Sequence, residues 1–159
     1  MTDLRKLLAE VYHARTQELA AEGTKRDCIA RIAKRLRMQH DLWGDAGVIR
    51  AAEAECAPYV VTGDAEQVED LLVLMREAYI QGAQVQAWRD AHRVAVERLA
   101  AALRQLPQPP PEADLVAPEE VVAIAERIVC QEWLGRRLTA PLPTPSVTDS
   151  DGRPIKEAV

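Results

Sequence analysis

A chain of 159 residues, 48% apolar and 28% charged, can bury a sizeable core and is too apolar to be disordered. Its net charge of −5 argues against wholesale non-specific attraction to nucleic acid or an anionic membrane. Phe is absent, so the core must be built from Leu, Val, Ile, Ala and three Trp, and strong helix formers dominate the composition.

Leu4, Leu7, Leu8, Val11, Tyr12 and Leu19 recur at helical spacing. They predict a first helix from Leu4 to Glu22, capped by Thr2 or Asp3 and stopped by Gly23. Thr24 to Asp27 reads as a capping-box variant opening a second helix with Cys28, Ile29, Ile32, Ala33 and Leu36 on one side. That helix is expected to end near Trp43 and Gly44. Asp45 then caps a third helix to Ala57, Pro58 ends it, and Tyr59 to Gly63 form an extended link. Asp64 to Gln67 repeats the capping-box pattern and opens a long fourth helix to Leu106, either continuous or kinked at Gly82.

Residues 107–117 hold Pro107, Pro109, Pro110 and Pro111 and predict a stiff linker. Pro118 suits the first position of a last helix over 118–138 that packs on the bundle, with Glu119 and Glu120 in its first turn and Gly135 as its stop. Residues 139–159 read as a flexible tail, with a turn at Asp149 to Gly152. The expected fold is therefore all-α: a bundle of about five helices, with 1–106 as its body. The predicted core includes Leu8, Ile32, Leu36, Leu71, Met75, Val85, Trp88, Leu99, Val129 and Trp133.

Phosphate-binding glycine loops, zinc-protease helices and nucleophile-elbow motifs are all missing from the sequence. Only Ser146 and Ser150 are serines, and His13, His40 and His92 fall on different predicted elements. His92 lies in an apolar heptad with Leu71, Ala78, Val85, Leu99 and Leu106, which reads as a hydrogen-bonded core histidine. Cys28, Cys56 and Cys130 form no C-x-x-C pair, which suits free thiols in a reducing compartment. With no apolar leader and no membrane-length run, the chain reads as cytoplasmic and of bacterial or phage type. The expectation is a non-enzyme with no metal and no cofactor.

The second predicted helix is the unusual element. Between Thr24 and Trp43, six basic residues face two acidic ones, a local charge of +4 that leaves −9 for the rest. Arg26, Arg31, Lys34, Arg35 and Arg37 fan over the side opposite Ile29, Ile32 and Leu36. Like charges repel, so such a face either stays solvated or meets a negative counterpart: phosphate, an acidic protein, or the chain's own stretches Asp64–Asp70 and Glu112–Glu120. Arg89 and Arg93 begin a weaker basic strip that merges with the first if the helices lie side by side. Aromatic residues for base stacking are scarce, so any DNA or RNA contact would be to backbone.

Val73, Ile80, Ala87, Val94 and Ala101 form a second heptad away from the core stripe of the long helix. A helix apolar on two sides is either central in a bundle or pressed against another subunit or a second copy, and the central position is slightly favoured. Val73, Ile80 and Val94 are accordingly the candidate partner-binding residues. The sequence suggests a small helical subunit of a larger assembly, such as an RNA-guided or phage nucleoprotein complex. The alternative is a protein-binding adaptor or inhibitor acting through acidic surfaces.

Overall fold

A computed structural model describes residues 3–111 and 117–139. Four α-helices account for most of them: α1 (Leu4–Arg35), α2 (His40–Thr62), α3 (Glu69–Arg104) and α4 (Pro118–Thr139). A 3₁₀ turn, Ala65–Val68, leads into α3. No strand occurs among the described residues, so the chain is all-α. The linker residues 112–116 and nearly all of the predicted tail, 140–159, lie outside the described residues.

Asp3 caps α1 as expected, its Oδ1 accepting from the Arg5 N–H at 3.0 Å. Gly23 does not end the helix, however, and the first two predicted helices are one. The Thr24 hydroxyl caps nothing; it donates back to the Ala20 carbonyl at 3.1 Å, as a hydroxyl inside a helix does. Packing overrides the local signal, because a helix gains most of its stability from its buried face. The true stop comes at Arg37, which adopts the left-handed region with φ 55°. Met38 N–H reaches the Ala33 carbonyl at 2.9 Å and Arg37 N–H reaches Lys34 at 3.2 Å, closing a Schellman motif. Met38 then packs beneath it on the core. An arginine in the place usually held by glycine hides this stop from a sequence reader.

The next two boundaries also move. Gly44, at φ 67° and ψ 172°, kinks α2 after its first turn, and His40 Nε2 lies 2.6 Å from Asp45 Oδ1 across the kink. Pro58 stays inside α2, which runs on to a left-handed Gly63, so Tyr59 to Thr62 are helical rather than extended. Pro58 and Ala54 both lie on the exposed side, where water can satisfy the carbonyl that proline deprives of a partner. Asp64 makes no side-chain cap, and α3 begins at Glu69. It then passes Gly82 without a break for about 54 Å. Likewise α4 continues through Gly135.

α1 and α3 form the antiparallel axis of the fold. Ion pairs Glu10–Arg98, Glu18–Arg89, Glu22–Arg89 and Arg35–Asp70 step up one helix as they step down the other. Two apolar clusters sit at its ends. Leu4, Leu7, Leu8 and Val11 meet Val96, Leu99 and Leu103, and Val121, Ile124 and Ala125 of α4 cover them. At the other end Ile29, Ile32 and Ala33 meet Leu71, Met75 and Ala78, with Val48, Ala52 and Cys56 of α2. Arg89 lines both the cleft beneath Asp45 of α2 and the cleft beneath Pro118 of α4. The two shorter helices therefore lie end to end on one face of the hairpin, and no other described element covers the opposite face.

That arrangement corrects two expectations. The Val73, Ile80 and Val94 stripe is not central in the bundle; the three are 60%, 41% and 46% exposed, because α2 and α4 both pack on the other side. Trp133 is exposed rather than core, and Trp88 is half-buried outside both clusters, while Leu36 and Val129 are half-buried and do pack against the core.

Three backbone substitutions test this chain path. Gly23→Ala meets open space in helical geometry and should stabilise the fold by about 0.5–1 kcal/mol. Arg37→Gly should add about 1 kcal/mol by relieving the left-handed arginine. Gly44→Ala should lose about 1–3 kcal/mol, since its φ and ψ suit glycine alone. Thermal unfolding of the three variants reads the sign of each change.

Candidate nucleic-acid interface

The last turns of α1, together with Arg37 just past its end, present the basic residues. Arg26, Arg31, Lys34, Arg35 and Arg37 are all exposed, as the position of Ile29 and Ile32 in the core requires. They are not equivalent. Arg35 Nε donates to Asp70 Oδ2 at 2.8 Å, so the acidic start of α3 neutralises one of the five. Arg31 makes no ion pair among the described residues, yet it shares a cleft with Glu66, Glu69, Asp70 and Glu77. Arg26, Lys34 and Arg37 also make none, and no such row of carboxylates faces them. Arg26 edges a polar cleft of 340 Å³ with Glu22, Lys25, Asp45 and Gln86, while Lys25 itself lies along Gly82 of α3.

The second basic strip serves the fold instead. Arg89 Nε and Nη2 donate to Glu18 and Glu22, each at 3.1 Å. Arg93 donates to Glu97 at 3.2 Å, one turn along its own helix. Arg26 and Arg89 do line one cleft, so the strips meet as side-by-side packing requires, but the guanidinium on α3 is already held.

Glu18 is the buried end of this network, at 2% exposure, between the two apolar clusters. Burial pushes its carboxyl pKa upward, but the Arg15 and Arg89 guanidiniums outweigh that and hold it below the usual 4.5. Arg15 donates from the same helix at 2.9 Å. Only Arg15 is local; the second partner, Arg89, lies 71 residues away in sequence.

The remaining chemistry is modest. Burial raises the Cys28 and Cys56 thiols, which keeps them protonated and weakly nucleophilic. His92 is half-buried but in neither cluster; it lines a 440 Å³ cleft with Val96, Ala100, Arg104 and Val121 between α3 and α4. His13 turns its ring edgewise to Trp88 at 5.5 Å. Among the described residues, no three His, Cys, Asp or Glu side chains gather to hold a metal, and no helix is long and apolar enough to cross a membrane.

Because Glu18 is held ionised, Glu18→Gln should destabilise the fold at neutral pH, by about 1–2 kcal/mol given half-exposed arginine partners. The lowered pKa fixes the sign. The ionised form's contribution is complete above the unfolded carboxyl pKa and fades as pH falls through the lower folded value. Urea melts of both proteins should therefore converge in acid, and a constant gap would show that the ion pairs contribute nothing.

No protein-family model matches this chain, and neither the curated proteins nor the solved structures provide a significant match.

Proposed function

We propose that the chain is a non-catalytic helical subunit of a larger assembly, contacting nucleic-acid backbone through the C-terminal half of α1. One observation carries this reading. In a chain of net charge −5, Arg26, Lys34 and Arg37 stand exposed without an ion-pair partner among the described residues, while Arg35, Arg89 and Arg93 each have one. A row of cations on a rigid helix suits a phosphate chain, which presents negative charge at regular intervals. Arg31 lies between these two groups. It is exposed, but carboxylates face it.

A second reading, a protein-binding adaptor, draws on a different feature. Val73, Ile80 and Val94 leave apolar surface uncovered on α3, and Trp133, Leu134 and Leu138 do so on α4. Glu66, Glu69 and Glu77 beside Val73 supply an acidic border. The α3 part of this surface and Arg26 lie on different sides of the hairpin, so the two readings are compatible.

Fluorescence anisotropy with labelled duplex DNA and single-stranded RNA, over a salt series, tests the first reading. Binding should be nearly indifferent to sequence and should weaken steeply with salt. Replacing Arg26, Lys34 and Arg37 by Glu should abolish it at moderate salt; replacement by Ala should flatten the duplex salt slope by roughly three units. Folding should survive the Ala set, since none of the three supports the core. Binding unchanged by both sets would refute the assignment, as would wild-type protein that binds neither nucleic acid.

A further inference from the structure

Four of the charges that line the two clefts on the uncovered face of the α1–α3 hairpin, where Asp90, Glu66, Glu69 and Asp70 also lie, form a regular pattern. Arg31 of α1 and Glu77 of α3 line one of its clefts, together with Cys28 and Val73. Glu10 of α1 and Arg98 of α3 line the other, with His13, Trp88 and Val94, and these two form an ion pair of 2.7 Å. Along α1, Glu10 precedes Arg31 by 21 residues; along α3, Glu77 precedes Arg98 by the same 21. Each interval is three heptads, about 31 Å of helix. On each helix the two ends therefore carry opposite signs, and at each end the neighbouring helices do too.

Such a pattern is complementary to itself. A second copy turned about an axis across the face, at the level of Ala87, lays α1 antiparallel on α1 and α3 antiparallel on α3. Arg31 then comes level with Glu10 of the other copy, and Glu77 with its Arg98. The two signs alternate around the resulting square at both ends. The apolar heptad obeys the same symmetry: Val73 comes level with Ala101, Ile80 with Val94, and Ala87 with itself. Charges and apolar residues independently place the axis at one level, which a face evolved for an unrelated partner has no reason to do. The small side chains of Ala87 and Ala91 permit close approach there, with Trp88 beside them.

We propose that this face is a homodimer interface, two copies packing face to face and antiparallel about a two-fold axis at Ala87. The proposal rests on the partner-binding role of Val73, Ile80 and Val94 and names their partner as a second copy; it does not depend on the nucleic-acid reading. The face is large enough. α1 is about 48 Å long and two helix diameters span about 20 Å, which exceeds the ~800 Å² per partner of a standard interface. The outlying carboxylates Glu66, Glu69 and Asp70 lie beyond the square, and Arg35 already engages Asp70.

Sedimentation equilibrium of the full chain, freed of nucleic acid, tests the proposal. The mass should be twice 17.6 kDa at concentrations reaching ~100 µM. Glu77→Arg alone should weaken association at least about tenfold by setting Arg against Arg98, and Arg98→Glu alone should do the same by setting Glu against Glu77. Mixing the two variants should restore a heterodimer, because every opposed pair is then of opposite sign. In a Cys130→Ser background, Ala87→Cys should form a disulfide-linked dimer under mild oxidation. Circular dichroism on each variant checks that the exposed Ala87 and Arg98 and the half-buried Glu77 can be replaced with helicity unchanged. A wild-type monomer throughout the range overturns the proposal. So does a dimer whose charge variants are not rescued by mixing, or one that Ala87→Cys does not cross-link. Either result leaves the effect of Arg26, Lys34 and Arg37 on nucleic-acid binding untouched.

Discussion

The antiparallel contact between α1 and α3 is the constraint on which the rest of the molecule depends. Each helix is long, and neither closes its own core. The apolar residues of α1 divide into a group at each end, and those of α3 divide to match. Sliding the helices past one another would bury the wrong residues at both ends at once. Glu18, held by Arg15 and Arg89 between the two clusters, opposes such slippage further. An ionised carboxylate at 2% exposure is tolerable only where guanidiniums reach it, and a shift by one turn takes Arg89 away and leaves Arg15 alone to compensate it. The short helices then have only the ends to cover, α4 over one cluster and α2 over the other.

The fold class was legible in the sequence because periodicity is a many-residue signal. Helix boundaries were not, because each depends on one or two residues that packing can overrule. Gly23, Gly82 and Gly135 all resemble stops, and all lie inside helices. A glycine costs about 1 kcal/mol there, far less than the burial gained when one uninterrupted α1 spans both clusters. The stop that does operate uses Arg37 in a glycine's conformation, and it is set by the adjacent Met38, whose side chain reaches the core. Merging the first two predicted helices and extending α2 past Pro58 changes the count of elements. It leaves the apolar stripes where the sequence put them.

The candidate site was legible to a similar depth. The concentration of cations in Arg26 to Arg37 is a compositional fact, and their exposure follows from Ile29 and Ile32 facing inward. Which of them are neutralised within the chain is a tertiary fact. Arg35 meets an aspartate 35 residues away, and Arg89 meets two glutamates some 70 residues away. Sequence could nominate the acidic start of α3 as a counterpart, and Asp70 does serve as one. It could not nominate Arg89 as the counterpart of Glu18, because only Arg15, one turn back, is local.

The arginines divide by side of the helix, and the division would let the two proposed surfaces act separately. Arg26 turns toward the face that α2 and α4 cover, where it borders the cleft of Glu22 and Asp45. Arg31 turns the other way, into the cleft with Glu77 and Val73 on the bare face. Because successive residues advance by about 100°, Lys34 falls between them on the outer edge of α1, away from both neighbouring helices. A partner covering the bare face therefore buries Arg31 and leaves Arg26 and Lys34 in solvent. A phosphate chain running along the outer edge of α1 meets Arg26 and Lys34 without displacing anything from the bare face. One helix can thus serve two contacts at once, with Arg31 the residue through which they would interfere.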